Sequence, residues 1–395
     1  MLFIKTKDLK TGMRLAKPIY NRLGVLLYDR ESTLTQQAIS SVENFGLLGL
    51  YVLEPAEPAP PLTEEEIEFE RFQTIYIFRL QEILNAILNG SKPKDLNSLS
   101  EAIISEFGHL DHKFPFSQNL RSKEDYYYKH SLNVAILCAM ICHAMNVEHE
   151  TTVATVTAAL LHDIGLLNLP EEIRQKQHKA FTPQDIEVIE HHMQQGYQLL
   201  QPTTNSYDLP SVTLRIIGQT SSSYYHPDFP NPNKLQLTVP SKILLLANEY
   251  DTLTAMGLHS IPCSDLKAFE FLEKHADYYD PYILKALMNS IHILPKGSCV
   301  VLSNGQKAMV IEDNPSGNFK TPVVLQFSNN VVLDLGLPDN AKKYKIVDVM
   351  KTLDNRIQID EETLKHFHAD AHLVEQLNRI KQKRNRSIPK KRVLR

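Results

Sequence analysis

The spacing of apolar positions changes character several times along this chain. Short alternating runs come first: Leu2–Ile4, Ala16–Tyr20 and Gly24–Tyr28 read as strands, with Asn21-Arg22-Leu23-Gly24 as a hairpin turn. Thr35 to Phe45 follows a helical period, with Thr33 or Thr35 as its cap and Gly46 just past its end. Leu47 to Leu53 returns to a strand. The stretch Glu54-Pro55-Ala56-Glu57-Pro58-Ala59-Pro60-Pro61 fits neither period and reads as a stiff, extended linker. The helical period resumes at Thr63, which forms a capping box with Glu66 and places Leu62 and Ile67 for a hydrophobic staple. Its apolar positions are Ile67, Phe72, Ile75, Ile77, Leu80, Ile83, Leu84 and Ile87, and it stops near Gly90. From Ser98 to about His292 helices dominate, broken by Pro/Ser/Asn loops at 202–210 and 221–233. After Pro295-Lys296-Gly297 come short strands at Cys299–Leu302, Ala308–Glu312, Pro322–Gln326 and Val331–Leu333.

This order predicts a mainly α protein: an α+β domain over 1–54, a linker over 55–62 and a helical connector over 63–120. A helical domain follows over 121–292, then a small β-barrel-like unit over 293–350 and a helical, basic tail over 351–395. The long helix from Thr63 to Asn89 either forms a homodimer surface or packs on its own domain.

Composition is that of an ordinary globular protein, and a net charge of −4 argues against wholesale nucleic-acid binding. The first residues lack the form of a signal peptide, and no apolar run is long enough to span a bilayer. Cys138, Cys142, Cys263 and Cys299 show no metal-knuckle spacing, and free buried thiols fit a cytoplasmic protein. Charge is uneven. From Arg379 onward there are nine Lys/Arg and no Asp/Glu, which leaves about −13 on the rest of the chain. That tail reads either as a solvated end or as a docking arm for an acidic surface.

The chemistry concentrates around His162-Asp163, at the end of the apolar run Ala159-Leu160-Leu161. An imidazole and a carboxylate buried side by side need a partner, and a metal ion suits both. His130, His192, Asn248 and Asp251 fall on other helical segments, which suits a site built inside a bundle from facing side chains.

The order His130…His162-Asp163…His192…Ala247-x-x-Tyr250-Asp251 resembles the HD superfamily of metal-dependent phosphohydrolases. More closely it resembles the HD-GYP branch, bacterial phosphodiesterases acting on cyclic di-GMP. The resemblance covers about residues 120–260 and is strongest at Leu160-Leu161-His162-Asp163-Ile164-Gly165. It implies an HD-type helical bundle with His130, His162, Asp163, His192 and the position of Asn248 as metal ligands, Asp163 serving catalysis as well. His226 and Gln219 are then expected to face substrate.

The departures matter as much. Leu166 stands where the family has a phosphate-contacting Lys, and Thr220-Ser221 follow where it has tandem His ligands. Asp228-Phe229-Pro230 replaces the Gly-Tyr-Pro signature, Asn248 replaces the last metal-binding Asp, and Tyr126 stands where some members carry an acid. Two metals about 3.5–4 Å apart need several anionic or imidazole donors. One divalent ion, Fe or Mn, is therefore expected and a second is not. His191, next to His192, points elsewhere on its helix. His366, His368 and His372 read as a solvated face. Three functions follow: a degenerate signalling protein that binds nucleotide or protein partners, an active phosphodiesterase with a reduced metal site, or a scaffold.

Overall fold

The computed structural model describes residues 2–21, 25–53, 59, 62–174, 176, 180–201, 209–221, 237–257, 260–314, 318–349, 375, 379–380 and 382. The described residues of Phe3–Pro55 and Leu62–His292 form one compact unit, and those from Ile293 onward belong to a second.

The first unit begins with β1 (Leu2–Lys5), β2 (Arg14–Leu15), β3 (Ile19–Tyr20), β4 (Leu26–Tyr28), α1 (Gln36–Asn44) and β5 (Gly49–Leu53). β5 is buried along its whole length and lies between β1 and β2, while β3 and β4 form a separate antiparallel pair. The strand expected over Ala16–Tyr20 is divided. Pro18 has no N–H for a ladder, so pairing stops at Leu15 and restarts at Ile19. The side chain of Thr35, not Thr33, caps α1 by accepting from the Ala38 N–H at 3.1 Å.

The helices follow as α2 (Glu64–Leu88), α3 (Leu96–Phe107), α4 (Tyr126–Ala144), α5 (His149–Leu161), the short α6 (Glu171–Arg174) and α7 (Pro183–Leu199). They continue with α8 (Ser211–Ser221), α9 (Val239–Thr254), α10 (Asp265–Lys274) and α11 (Pro281–Ser290). The capping box at Thr63–Glu66 forms as expected. Six of the eight apolar positions expected on the buried face of α2 are buried: Phe72, Ile77, Leu80, Ile83, Leu84 and Ile87. Ile67 and Ile75 are 44% and 50% exposed, whereas Phe69, Gln73, Ile77, Leu80 and Leu84 point inward at 3.6-residue spacing.

Thirteen consecutive residues of α4, His130 to Cys142, are buried. Such a helix belongs at the centre of a bundle, and α2, α3, α5, α9 and α11 pack around it. Leu132, Ile136, Leu137 and Ile141 are fully covered, each worth about 1.5–3 kcal/mol of apolar burial. Cys138 and Cys142 are free and buried. Among the described residues no helix is long and apolar enough to cross a membrane.

The second unit holds β6 (Cys299–Leu302), β7 (Lys307–Glu312), β8 (Val323–Gln326), β9 (Val332–Asp334), α12 (Pro338–Lys343) and β10 (Ile346–Val349). The antiparallel order is β10-β6-β7-β8-β9, around a core of Met309, Ile311, Val323, Leu325 and Val332. The expected barrel-like closure does not occur among the described residues. β9 and β10 are the two edges, and no pairing joins them.

Candidate metal centre

Three segments deliver the centre. α4 carries His130 near its start, α5 ends at Leu161 and presents His162 and Asp163 at its exit, and α9 carries Asn248 and Asp251. The turn after α5 is held from behind by a close backbone approach. A Cβ on Gly165 would meet the His192 carbonyl oxygen at 2.0 Å, and one on Gly196 would meet Gly165 N at 2.5 Å. Two glycines thus let α7 lie directly against the His-Asp turn.

His130, His162 and Asp163 each offer a ligand atom within 4.8 Å of the others, and all three are buried. His130 Nε2 lies 3.5 Å from Asp163 Oδ2, and His162 Nε2 lies 3.3 Å from Asp163 Oδ1. Asn248 Oδ1 stands between the imidazoles, 2.8 Å from His130 Nε2 and 3.2 Å from His162 Nε2.

The opposite ring nitrogens fix the tautomers. His162 Nδ1 donates to the Ala159 carbonyl at 2.8 Å, and His130 Nδ1 donates to Asp251 Oδ2 at 2.6 Å. With both Nδ1–H groups committed, neutral imidazoles turn Nε2 lone pairs toward Asp163 and Asn248 Oδ1. Among the described residues the two Nε2 atoms, the Asp163 carboxylate and the Asn248 carbonyl converge on one place, a donor set that fits a cation. With Arg121 counted against Asp251, the cluster keeps one net negative charge from Asp163, which a divalent ion would offset. Burial alone would lower the His130 pKa, but the hydrogen bond and charge of Asp251, aided by Asp163, outweigh it and raise it.

Asp251 is no free ligand. It is fully buried, and Arg121 Nη2 contacts its two oxygens at 2.8 and 2.7 Å. Gln118 Nε2 and Asn133 Nδ2 each donate to its Oδ1 at 3.1 Å. Burial would raise its pKa, but Arg121 and His130 hold it well below the usual carboxylate range. Arg121 is itself 0% exposed and lies over the Tyr126 ring, 5.3 Å from its centroid. Tyr126 in turn stacks beside His130, with ring planes 8° apart. Burial pushes its phenol up to about 12, so at the position where some relatives carry an acid this chain has a neutral wall.

His130, His162, Asp163 and Asn248 thus come together. His192 does not join the three-residue group: its backbone abuts Gly165 and its ring is half-buried beside that of His191. Gln219, expected to face substrate, binds the start of α9 through its side-chain carbonyl. Its Oε1 accepts from Thr238 N at 3.1 Å, Thr238 Oγ1 at 3.0 Å and Ser241 Oγ at 2.6 Å. Thr220, at one tandem-His position, is buried and returns its hydroxyl to the Ile216 and Ile217 carbonyls of its own helix. His226, Asp228-Phe229-Pro230, the three histidines from 366 to 372 and nearly all of the basic tail lie outside the described residues.

Sequence reasoning missed Arg121, Gln118, Asn133 and Gln73. Gln73 Nε2 donates to Asn133 Oδ1 at 2.9 Å, and Asn133 Nδ2 to Gln118 Oε1 at 2.9 Å. Two of the four left a signal, since Gln73 and Asn133 are polar residues at core-facing helix positions. Arg121, in an irregular segment, left none.

Known proteins resemble this chain over its helical part. The family model of the HD domain matches residues 111–283. The chain is 25% identical over 196 residues to the cyclic di-GMP phosphodiesterase PdeB of Borreliella burgdorferi, covering 49% of this chain and 51% of that protein. It is 22% identical over 199 residues to the cyclic di-GMP phosphodiesterase PA4108 of Pseudomonas aeruginosa, covering 49% and 46%. It therefore spans about half the length of the curated relatives it matches. A solved structure, an HDG"Y"P protein from Bdellovibrio bacteriovorus, aligns over 72% of this chain and 97% of its own, with 14% identity and a TM-score of 0.41.

Proposed function

We propose, for a chain that belongs to the HD domain family through residues 111–283 and to its HD-GYP branch, a role in cyclic di-GMP signalling by binding rather than by efficient hydrolysis. In this reading one divalent ion, Fe or Mn, is held by His130, His162 and Asp163. Asn248 is a neutral neighbour, and His192 on α7 is the next ligand candidate. The single observation that carries it is the donor set: two imidazoles and one carboxylate converge, and the nearby Asp251 is already neutralised by Arg121. A divalent ion there would polarise a phosphoryl oxygen and acidify bound water. The chain's own contribution is to fix both tautomers and exclude solvent. Among the described residues it brings no second uncommitted carboxylate to the centre, and position 166 is Leu, not a Lys that would meet phosphate charge. Nucleotide or protein binding then transmits the signal, in the cytoplasm, with the basic tail as a docking arm and a homodimer as the assembled form.

The relatives named as phosphodiesterases favour a second reading, an active enzyme with a reduced site. Hydrolysis of cyclic di-GMP with added Mn²⁺, or with Fe²⁺ under anaerobic conditions, separates the two. The expected turnover is far below about one per second, a slow but ordinary enzymatic rate. Turnover at or above that rate, abolished by Asp163→Ala, would establish the second reading.

A further inference from the structure

The first unit contains a cavity of about 350 Å³ that none of His130, His162 or Asp163 lines. Its walls come from the N-terminal segment around Lys17–Asn21, from one face of α2, and from the stretch leading into α4. We infer that this cavity binds an uncharged planar heterocycle of nucleobase or nucleoside size.

Three features set the ligand class. The volume lies at the lower end of small-molecule sites, which run from about 300 to 1,000 Å³, so a single ring system with a modest substituent fits. The polar lining includes five carboxamides, Asn21, Gln73, Gln81, Asn85 and Asn119, beside five charged side chains. A carboxamide places a donor beside an acceptor, the pattern that pairs with the edge of a heterocycle such as adenine. Asn119 Oδ1 is buried without a hydrogen-bond partner, and Asn85 uses its Oδ1 to accept from Tyr128 Oη at 3.3 Å, leaving its N–H groups for another acceptor. Tyr20, Phe45, Phe78 and Tyr128 supply flat faces on which a ring would stack.

Charge excludes a phosphorylated ligand. Among the described lining residues Lys17 and Lys129 are the cations, and both are occupied. Lys17 Nζ donates to the Gln118 carbonyl at 2.8 Å and lies 3.6 Å from Glu70. Lys129 Nζ pairs with Asp125 at 2.7 Å and donates to the Leu120 carbonyl at 2.5 Å. Three carboxylates, Glu70, Glu124 and Asp125, outnumber the two lysines among the described lining residues, which disfavours phosphate.

The cavity is also wired to the metal centre. Gln73 in its wall donates to Asn133, Asn133 to Asp251, and Asp251 accepts from His130. A ligand that shifts Gln73 would act on the carboxylate that orients a metal-binding imidazole.

Isothermal titration calorimetry of the full chain with adenosine, guanosine and their 5′-monophosphates tests the site. The expected result is binding of at least one nucleoside with a Kd of about 10 μM to 1 mM and of its monophosphate at least roughly tenfold more weakly. Gln81→Ala and Asn85→Ala, on the outer part of α2, each weaken binding by about two- to tenfold, the value of one hydrogen bond. Thr74→Phe fills the cavity and abolishes it. His162→Ala leaves it intact, which separates this site from the metal centre. No heat with either nucleoside at millimolar concentration, equal affinity for the monophosphate, unchanged affinity in both α2 variants, or loss in His162→Ala would each overturn the inference.

Discussion

Replacing Asp251 with Asn should injure both the fold and the metal centre, through different partners. The substitution keeps the shape of the side chain but removes the charge that compensates the fully buried Arg121. Breaking a buried pair by removing one partner costs about 3–5 kcal/mol, because the other charge is left without compensation. For a unit of this size that corresponds to a fall in Tm of roughly 6–20 °C. The same carboxylate accepts from His130 Nδ1 at 2.6 Å, and loss of such an orienting partner lowers metal affinity by about 10–100-fold. Urea denaturation in the presence of a chelator reads the first effect, and titration with Mn²⁺ reads the second. The double variant Arg121→Met/Asp251→Leu removes both charges and should recover most of the lost stability without recovering metal affinity. Stability within about 1 kcal/mol of wild type in Asp251→Asn, or a double variant no more stable than the single one, would refute the pairing argument.

Gly165→Ala places a methyl 2.0 Å from the His192 carbonyl, so thermal unfolding should show a loss of about 1–3 kcal/mol, typical of overpacking, with reduced metal content. Asp185 closes the capping box of α7 and pairs with Lys176, and those contacts lower its pKa to about 2. Its stabilisation is therefore complete above the unfolded value near 3.9 and disappears as pH falls through about 2. Asp185→Asn should then destabilise at pH 6 but not below pH 2, as unfolding at the two pH values would report. Burial pushes the thiols of Cys142 and Cys263 up to about 12 and that of Cys138 well above its ordinary value. Iodoacetamide at pH 8 should leave all three unlabelled in the native protein and label them in urea, as peptide mass spectrometry would show.

The parts of the fold written in local spacing were legible. The capping box at Thr63, the buried α4 and the strands after Pro295 follow from period and turn chemistry, as does the exit of α5 at His162-Asp163. The outward turn of Ile67 and Ile75 on α2 was not, because they look as apolar as Ile77 until a partner surface decides which side is buried. The open edges of the C-terminal sheet were equally hidden, since β10 finds its place beside β6 only through pairing some 45 residues apart. At the site, the metal-binding residue types were visible and their second partners were not. Asp251 stood in the sequence as a member of the constellation with no role assigned to it. Arg121, from a segment without periodicity, turns it into a neutralised support for His130. Gln219 looked aimed at substrate, yet its carbonyl is consumed by the start of α9.

The central claim is a centre that has the donors for one ion and not for two. Elemental analysis of the full chain, purified anaerobically and equilibrated with Mn²⁺ or Fe²⁺, measures it directly. The account predicts one metal ion per chain in the wild type and none in His162→Ala. Two ions per wild-type chain, or one retained in His162→Ala, would contradict it.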